Sequence, residues 1–257
     1  MSKKLSFLIV GAQKAGTSAL HQYLSGHDRL FLPATKELHF FDDEKIDWDK
    51  VNRKWTWGKH PYSIYHGHFS RASPDKVWGE ATPIYMYWQP CIKRIWQYSP
   101  KMKLIVVLRN PITRAYSQWN MERQRGNETL SFLEAINSES SRARQALPDQ
   151  HRIYSYLSRG LYSEQVRRIW HFFCKKQTLI IKQDDLLNHP SLTLDKVHDF
   201  LEVERKDLAH TIRAHTLPYE ETIGAKAHNV LRQYYGIEIM QLERMLGWDC
   251  QGWMKEP

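Results

Sequence analysis

The stretch Leu5 to Ser18 reads LSFLIVGAQKAGTS, an apolar run that passes into a loop bounded by two glycines and closed by two hydroxyl residues. The run has the length of a buried strand and is too short for a secretory core or a membrane span. The loop, Gly11-Ala-Gln-Lys-Ala-Gly-Thr-Ser18, almost follows the Walker A pattern G-x-x-x-x-G-K-[ST]. Thr17 occupies the lysine's place, however, and Lys14 lies inside the loop. The Walker lysine reaches the outer phosphates of a triphosphate and the final hydroxyl holds magnesium, so an ATP reading lacks its central cation. A strand, this loop and a helix starting near Thr17 still direct successive backbone N–H groups and a positive helix end at one anion. Lys14 adds a mobile cation, and Thr17 and Ser18 add hydroxyl donors. A plain strand-to-helix turn with an exposed lysine is the competing reading. The coincidence of strand, glycines, lysine and hydroxyls favours phosphate binding.

Outward from this loop, further apolar runs at Leu30 to Leu32, Val77 to Glu80, Leu104 to Leu108 and Thr178 to Ile181 fit buried parallel strands. Helical patterns lie between or after them, at Thr17 to Leu24, Ile112 to Arg123, Ser163 to Phe173, Leu192 to Leu201 and Val230 to Leu246, with Pro111 suited to a first helical turn. The alternation predicts an α/β fold, a central parallel sheet flanked by helices, with ligands bound beyond the carboxyl ends of the strands. At 257 residues the chain suffices for one large domain or two small ones, and it has no repeat, low-complexity tract or long linker, so one domain over 1–257 is expected. Residues 42–88, rich in Trp, Tyr and His, are expected to form an irregular excursion shaping the acceptor side of a cleft; packing of these aromatics onto the sheet is the alternative.

The formal net charge of +9 points to an anionic ligand: a nucleotide, a nucleic acid, an acidic lipid surface or a polyanionic sugar. Cys91, Cys174 and Cys250 are odd in number and widely spaced, so neither a disulfide framework nor a zinc site is expected and a reducing, cytoplasmic setting fits. His60, His66 and His68 lack a regular ligand arrangement, and no metal is assigned.

A second anion-binding cluster lies at LIVVLRNPITRAYS, Leu104 to Ser117. Arg109 ends a strand, Ser117 falls two turns into the following helix and Arg114 is nearby. A guanidinium offers a fork to phosphate, although a salt-bridged arginine at a helix start would look the same.

Together these residues resemble the sulfotransferases that use 3′-phosphoadenosine 5′-phosphosulfate (PAPS). In that family a [PQ]-K-[SAT]-G-T-[ST] loop, here Gln13, Lys14, Ala15, Gly16, Thr17 and Ser18, binds the 5′-phosphosulfate, and an R-[ND]-P-x-x-R-[AV]-x-S element, here Arg109 to Ser117, binds the 3′-phosphate. KELHFFD, Lys36 to Asp42, is similar to the K-E-x-H-F-F-D segment of the heparan sulfate type, and GEATPIY, Gly79 to Tyr85, to its E-x-T-P-x-Y element. GLYSEQVRRIW, Gly160 to Trp170, resembles a G-x-Y-x-x-x-L-x-x-W pattern, with Val166 in the leucine's place and Trp170 one position later, and MLGWDCQGW closes the chain as in many bacterial members. Ala81 stands where the heparan sulfate enzymes often have lysine, and IGAKAHN, Ile223 to Asn229, keeps only Lys226 of their K-G-R nucleotide loop.

The resemblance implies a P-loop-like sulfotransferase fold and sulfuryl transfer from PAPS to a hydroxyl or amine of a carbohydrate or other small acceptor, leaving PAP and requiring no metal, nucleic acid or membrane. It implies Glu37 as the general base, sitting among apolar residues expected to raise its pKa; a surface carboxylate paired with Lys36 is the alternative. His39, expected to share a face with Glu37 along a strand-like segment, competes as base, as substrate-orienting group or as a structural histidine. Lys14 is expected to stabilise the leaving phosphate. Glu80 and Thr82 are expected on the acceptor side, or Glu80 orients Lys14. Tyr162 and Ser163 are expected near the 3′-phosphate or adenine, with helix capping as the alternative for Ser163. Two other functions compete: an ATP-dependent phosphotransferase, which lacks the lysine at position 17 and the magnesium carboxylate, and a basic anion-binding protein, for which there is no nucleic-acid motif.

Overall fold

A computed structural model describes residues 3–51, 53, 55, 58–207 and 222–255. The apolar runs become five strands, β1 (Phe7–Gly11), β2 (Leu30–Phe31), β3 (Val77–Ala81), β4 (Lys103–Leu108) and β5 (Thr178–Lys182). They form one parallel sheet in the order β2-β3-β1-β4-β5. Every residue of β1 and all of β4 beyond Lys103 are buried. Helices cover both faces of such a sheet, so its central strands have no solvent side and read as continuous apolar runs rather than alternating ones.

Among the described residues the helices are α1 (Thr17–Ser25), α2 (Trp48–Val51), α3 (Pro61–Gly67), α4 (Gln89–Tyr98), α5 (Pro111–Gln124), α6 (Phe132–Gln145), α7 (Tyr162–Phe172), α8 (Gln183–Asn188), α9 (Pro190–Leu201) and α10 (Ala225–Leu246). Their ends follow from local chemistry. Asn110 caps α5 by accepting a hydrogen bond from the Ile112 N–H at 2.9 Å, with Pro111 in the first turn. Ser131 and Glu134 form a capping box at the start of α6, a signal present in the sequence although no helix was expected there. Gly247, with φ 67°, closes α10 in the left-handed conformation that glycine adopts without a Cβ clash. None of the described helices is long and apolar enough to cross a membrane.

From β1 the chain builds β2 and β3 on one side and β4 and β5 on the other, so the strand order reverses at β1. Loops leaving β1, β3 and β4 therefore diverge around one crevice at their carboxyl ends, where ligands bind in open α/β sheets. Residues 42–88 are less irregular than expected, since beside the expected β3 they contain α2 and α3. Their aromatics largely pack inward. Tyr65 stacks on Phe40 with centroids 4.3 Å apart, Phe69 stacks on Trp78 at 5.7 Å, and Phe41, Tyr65 and Phe69 are fully buried. This layer supports the Lys36 to Asp42 segment from beneath.

Candidate active site

The loop after β1 is held from three directions. The Ala12 N–H bonds the Val107 carbonyl of β4 at 2.8 Å. The Arg109 guanidinium donates to the Lys14 carbonyl at 3.2 Å, and the Arg159 guanidinium donates to Oε1 of Gln13. Lys14 has φ 68° and Gly16 φ 94°. These left-handed residues curl the chain back so that it enters α1 with its N–H groups facing the crevice. Gly16 is the N-cap of α1 and no side chain caps that end, so the first-turn donors are left for a ligand. Ala15 and Thr17 are buried, whereas Gln13, Lys14, Gly16 and Ser18 retain exposed surface.

Arg109 leaves the end of β4 and is fixed by two contacts, Nε–H to Thr113 Oγ1 at 2.9 Å and the bond to the Lys14 carbonyl. The two expected anion-binding clusters are thus one hydrogen-bonded unit. Ser117 lies on α5 and is largely buried. Arg114 is completely buried, donating to Gln118 Oε1 at 2.8 Å and to the Tyr156 carbonyl, and belongs to the core. Tyr162 stands otherwise than expected. It has no exposed surface, and its hydroxyl donates to the Arg109 carbonyl at 3.0 Å, so it supports Arg109 from below; burial pushes its pKa to about 12, which keeps it a neutral donor. Ser163 does not cap α7, whose N-cap is Leu161; its hydroxyl and N–H bond Glu238 of α10 at 2.8 and 2.6 Å.

Lys36 to Asp42 is not strand-like. Glu37 and His39 both have positive φ, 64° and 52°, a conformation costly for residues with a Cβ and concentrated at functional sites. The turn still brings their side chains together: His39 Nε2 lies 3.7 Å from Glu37 Oε2, and His39 Nδ1 lies 3.0 Å from Asp42 Oδ2. Lys36 Nζ donates to Glu37 Oε1 at 2.8 Å, the pairing that the alternative reading of Glu37 anticipated. Arg152 completes the cluster at 2.6 Å from Asp42. These contacts reverse the expected pKa shift of Glu37. Burial raises it, but the hydrogen bonds and charges of His39 and Lys36 outweigh that and hold it at about 2. The hydrogen bond from His39 to Asp42 and the Glu37 carboxylate 3.7 Å away push the imidazole up to about 9 against the opposing effect of burial.

The cluster carries a pH dependence. The His39 contribution to stability is complete below its ordinary value of 6.5 and is lost as pH rises through about 9. The Glu37 contribution is present above its ordinary 4.5 and is lost as pH falls toward about 2. Urea denaturation should therefore give wild type a stability advantage over His39→Asn at about pH 6 that disappears near about pH 10. An advantage that grows with pH over that interval would contradict the assignment.

Glu80 and Thr82, expected on the acceptor side, are buried in the strand-end support instead. Thr82 Oγ1 and the Tyr65 hydroxyl donate to the Glu80 carboxylate at 2.7 and 3.1 Å. Burial raises the Glu80 pKa, with hydrogen bonds from Thr82, Tyr85 and Tyr65 opposing it. Their segment acts through the backbone: the Ala81 carbonyl accepts from the Glu37 N–H at 3.0 Å, and the Tyr85 hydroxyl accepts from the Phe40 N–H at 3.0 Å. Lys226 sits in the first turn of α10, facing α5 across a cavity of about 300 Å³ that Tyr116, Trp119, Asn120 and Arg123 also line. A second depression, about 380 Å³, borders Ser18 and Lys36 and is lined by His21, Gln22, Ser25 and Ala34.

Asp42, Arg152 and Arg159 were not singled out from the sequence. Asp42 stands three residues after His39 and Arg159 immediately before Gly160, so both lie within or beside recognised motifs. Their roles depend on partners far along the chain. The closing MLGWDCQGW segment is tied to the same end of the sheet, with Asn110 Nδ2 donating to the Trp253 carbonyl at 3.0 Å and Lys182 Nζ to the Asp249 carbonyl at 2.7 Å.

Residues 5–229 match the model of the sulfotransferase domain family. The chain is 31% identical over 202 residues to mouse heparan sulfate glucosamine 3-O-sulfotransferase 6, covering 77% of this chain and 52% of that protein. It is 29% identical to human bifunctional heparan sulfate N-deacetylase/N-sulfotransferase 2, covering 76% of this chain and 22% of the relative. The chain thus spans about half the length of the first of these curated relatives, and less of the second. Among solved structures, a sulfotransferase from Alicyclobacillus acidocaldarius superposes with a TM-score of 0.82 at 26% identity, covering 99% of this chain and 100% of its own. With a family match over most of its length and a fold shared from end to end with a solved member, this chain belongs to the sulfotransferase family.

Proposed function

We propose that this protein transfers the sulfuryl group of PAPS to a hydroxyl, or an amine, of a saccharide or other small acceptor. The observation that carries the reading is the direct bond between the two anion-binding clusters, Arg109 to the Lys14 carbonyl, with the Glu37 cluster on the neighbouring strand end. A ligand with phosphate groups at both ends of a nucleoside suits two linked sites better than a triphosphate suits one. The loop N–H groups, Lys14 and Ser18 take the 5′-phosphosulfate, and Arg109 with Ser117 takes the 3′-phosphate, with Lys226 across the adjoining cavity. A saccharide acceptor is favoured by the heparan sulfate relatives and by the hydrogen-bonding lining of the depression beside Ser18 and Lys36.

In the reaction the acceptor oxygen forms a bond to sulfur while the bond from sulfur to the bridging oxygen breaks. The acceptor proton passes to the Glu37 carboxylate, and the electron pair of the broken bond stays on the 5′-phosphate of PAP. Lys14 and the helix-end N–H groups stabilise that developing charge. A carboxylate held at about 2 is a weak base. The approaching hydroxyl must displace Lys36 or His39 from it, which removes the cause of the depression where the proton is taken. His39, a cation at neutral pH with a pKa of about 9, orients Glu37 or the acceptor.

Thermal denaturation with three ligands tests the donor assignment, because a ligand that binds only the folded state raises its melting temperature. 3′,5′-ADP should stabilise the protein, whereas 5′-AMP and magnesium ATP should do so much less. A preference for magnesium ATP would sink the proposal.

A further inference from the structure

Arg159 is a buried cation, 3% exposed, in the short 3₁₀ turn Ser158–Gly160. Its donors reach only neutral acceptors: Ser155 Oγ at 2.7 Å, the Arg152 carbonyl and Oε1 of Gln13. It lies over the Tyr87 ring at 4.7 Å, and among the described residues no carboxylate comes within ion-pairing distance of it. Burial, the largest influence, pulls its pKa below the usual guanidinium value, and the Glu122 and Glu139 carboxylates act on it only through space, so its charge is only partly compensated within the protein. The turn that presents it is rigidly held. Glu139 accepts from the Leu157 and Ser158 N–H groups at 2.6 and 2.9 Å, and the Tyr235 hydroxyl donates to the Leu157 carbonyl at 2.8 Å. A Cβ on Gly160 would lie 2.4 Å from that hydroxyl, so the close approach requires glycine there. Arg159 is thus a fixed cation fastened to the loop whose N–H groups face the crevice.

We infer that Arg159 is a positioning residue of the donor site, holding the loop through Gln13 and having the 5′-phosphosulfate of the bound donor as the balancing charge for its guanidinium. The inference rests on the proposed use of PAPS. Arg159 touches no reacting atom. Its bond to Gln13 fixes where the loop's donors point, and its field, little screened in a buried site, favours the anion there. Arg109, bonded to the Lys14 carbonyl of the same loop, serves the other end of the nucleotide, so the two guanidiniums divide the ligand between them.

The test compares affinities for 3′,5′-ADP and for adenosine 3′-monophosphate, which lacks the 5′ group. Arg159→Met should weaken 3′,5′-ADP by about 10- to 100-fold, the effect of losing a hydrogen bond to a charged group, and change adenosine 3′-monophosphate by less than about threefold. Arg159→Lys should restore part of the loss, because it keeps the charge without the guanidinium's geometry. Gln13→Leu breaks the same contact from the loop side, and adding it to Arg159→Met should cost less than the sum of the two single changes. Equal weakening of both ligands would mean a purely structural role, and unchanged 3′,5′-ADP binding would mean none; either overturns the inference. Should Arg159→Met fail to fold, Arg159→Lys and Gln13→Leu decide by the same selectivity for the 5′ group. A wild-type protein that binds no 3′,5′-ADP overturns the donor assignment itself, whereas wild-type binding with unselective variants removes only the role of Arg159.

Discussion

Glu37→Gln is expected to slow sulfuryl transfer by about 10²- to 10⁴-fold, the contribution of a well-placed general base, while leaving the affinity for 3′,5′-ADP unchanged. The amide preserves the shape of the side chain and an oxygen to accept from Lys36, which lies 2.8 Å from Glu37 Oε1. It removes the site that takes the proton. Glu37 is tied to Lys36, to His39 and, through its N–H, to the Ala81 carbonyl of β3, whereas Arg109 leaves β4, so binding and chemistry should separate. Single-turnover rates with labelled donor, alongside titration with 3′,5′-ADP, provide the measurement. Turnover within about threefold of wild type would remove Glu37 as the base. His39 is poorly placed to substitute, because its partners Asp42 and Glu37 hold it protonated up to about pH 9. In Glu37→Gln one of these carboxylates is gone and the imidazole pKa falls, so any residual activity should gain an acid limb that wild type lacks near neutrality.

Arg109→Ala is expected to weaken 3′,5′-ADP by about 30- to 1,000-fold, corresponding to about 2–4 kcal/mol for a charged fork facing phosphate in a partly buried site. The effect is large because one guanidinium has two duties. In the proposed donor complex it takes the 3′-phosphate, and it donates to the Lys14 carbonyl at 3.2 Å, holding a residue already in the left-handed region. Without it, the 3′ charge loses its partner and the loop loses a support. Binding of 5′-AMP, which lacks the 3′-phosphate, should fall much less. If 5′-AMP and 3′,5′-ADP weaken equally in Arg109→Ala, the 3′ assignment fails and only the loop-supporting role remains.

The strands were legible because of where they lie. β1 and β4 are apolar runs that burial on both faces demands, β5 is a partly buried apolar run at the sheet edge, and β1 passes into the glycine loop at the position where the chain must turn into α1. α4, α6 and α8 were not read, although α6 has its capping box written in Ser131 and Glu134. Helices of mixed composition are set by packing more than by periodicity, and their apolar positions are hard to see without the surface they meet. The site divides in the same way. Residues contiguous in the chain, Gln13 to Ser18 and Arg109 to Ser117, were found by their spacing. Arg159 acts on Gln13 from 146 positions away and Arg152 on Asp42 from 110, and no local pattern encodes such pairs.

The sequence by itself determined that a strand would deliver a glycine loop opening a helix and that a second strand would deliver Arg109, because a loop and a helix start are local chemistry. Only the tertiary structure decided that the two are hydrogen-bonded to each other, that Glu37 is held far below its ordinary pKa rather than above it, and that Tyr162, Glu80 and Thr82 are buried supports of the strand ends. Those outcomes depend on distances between charges and on which side chains lose water, and both are fixed by how distant segments pack.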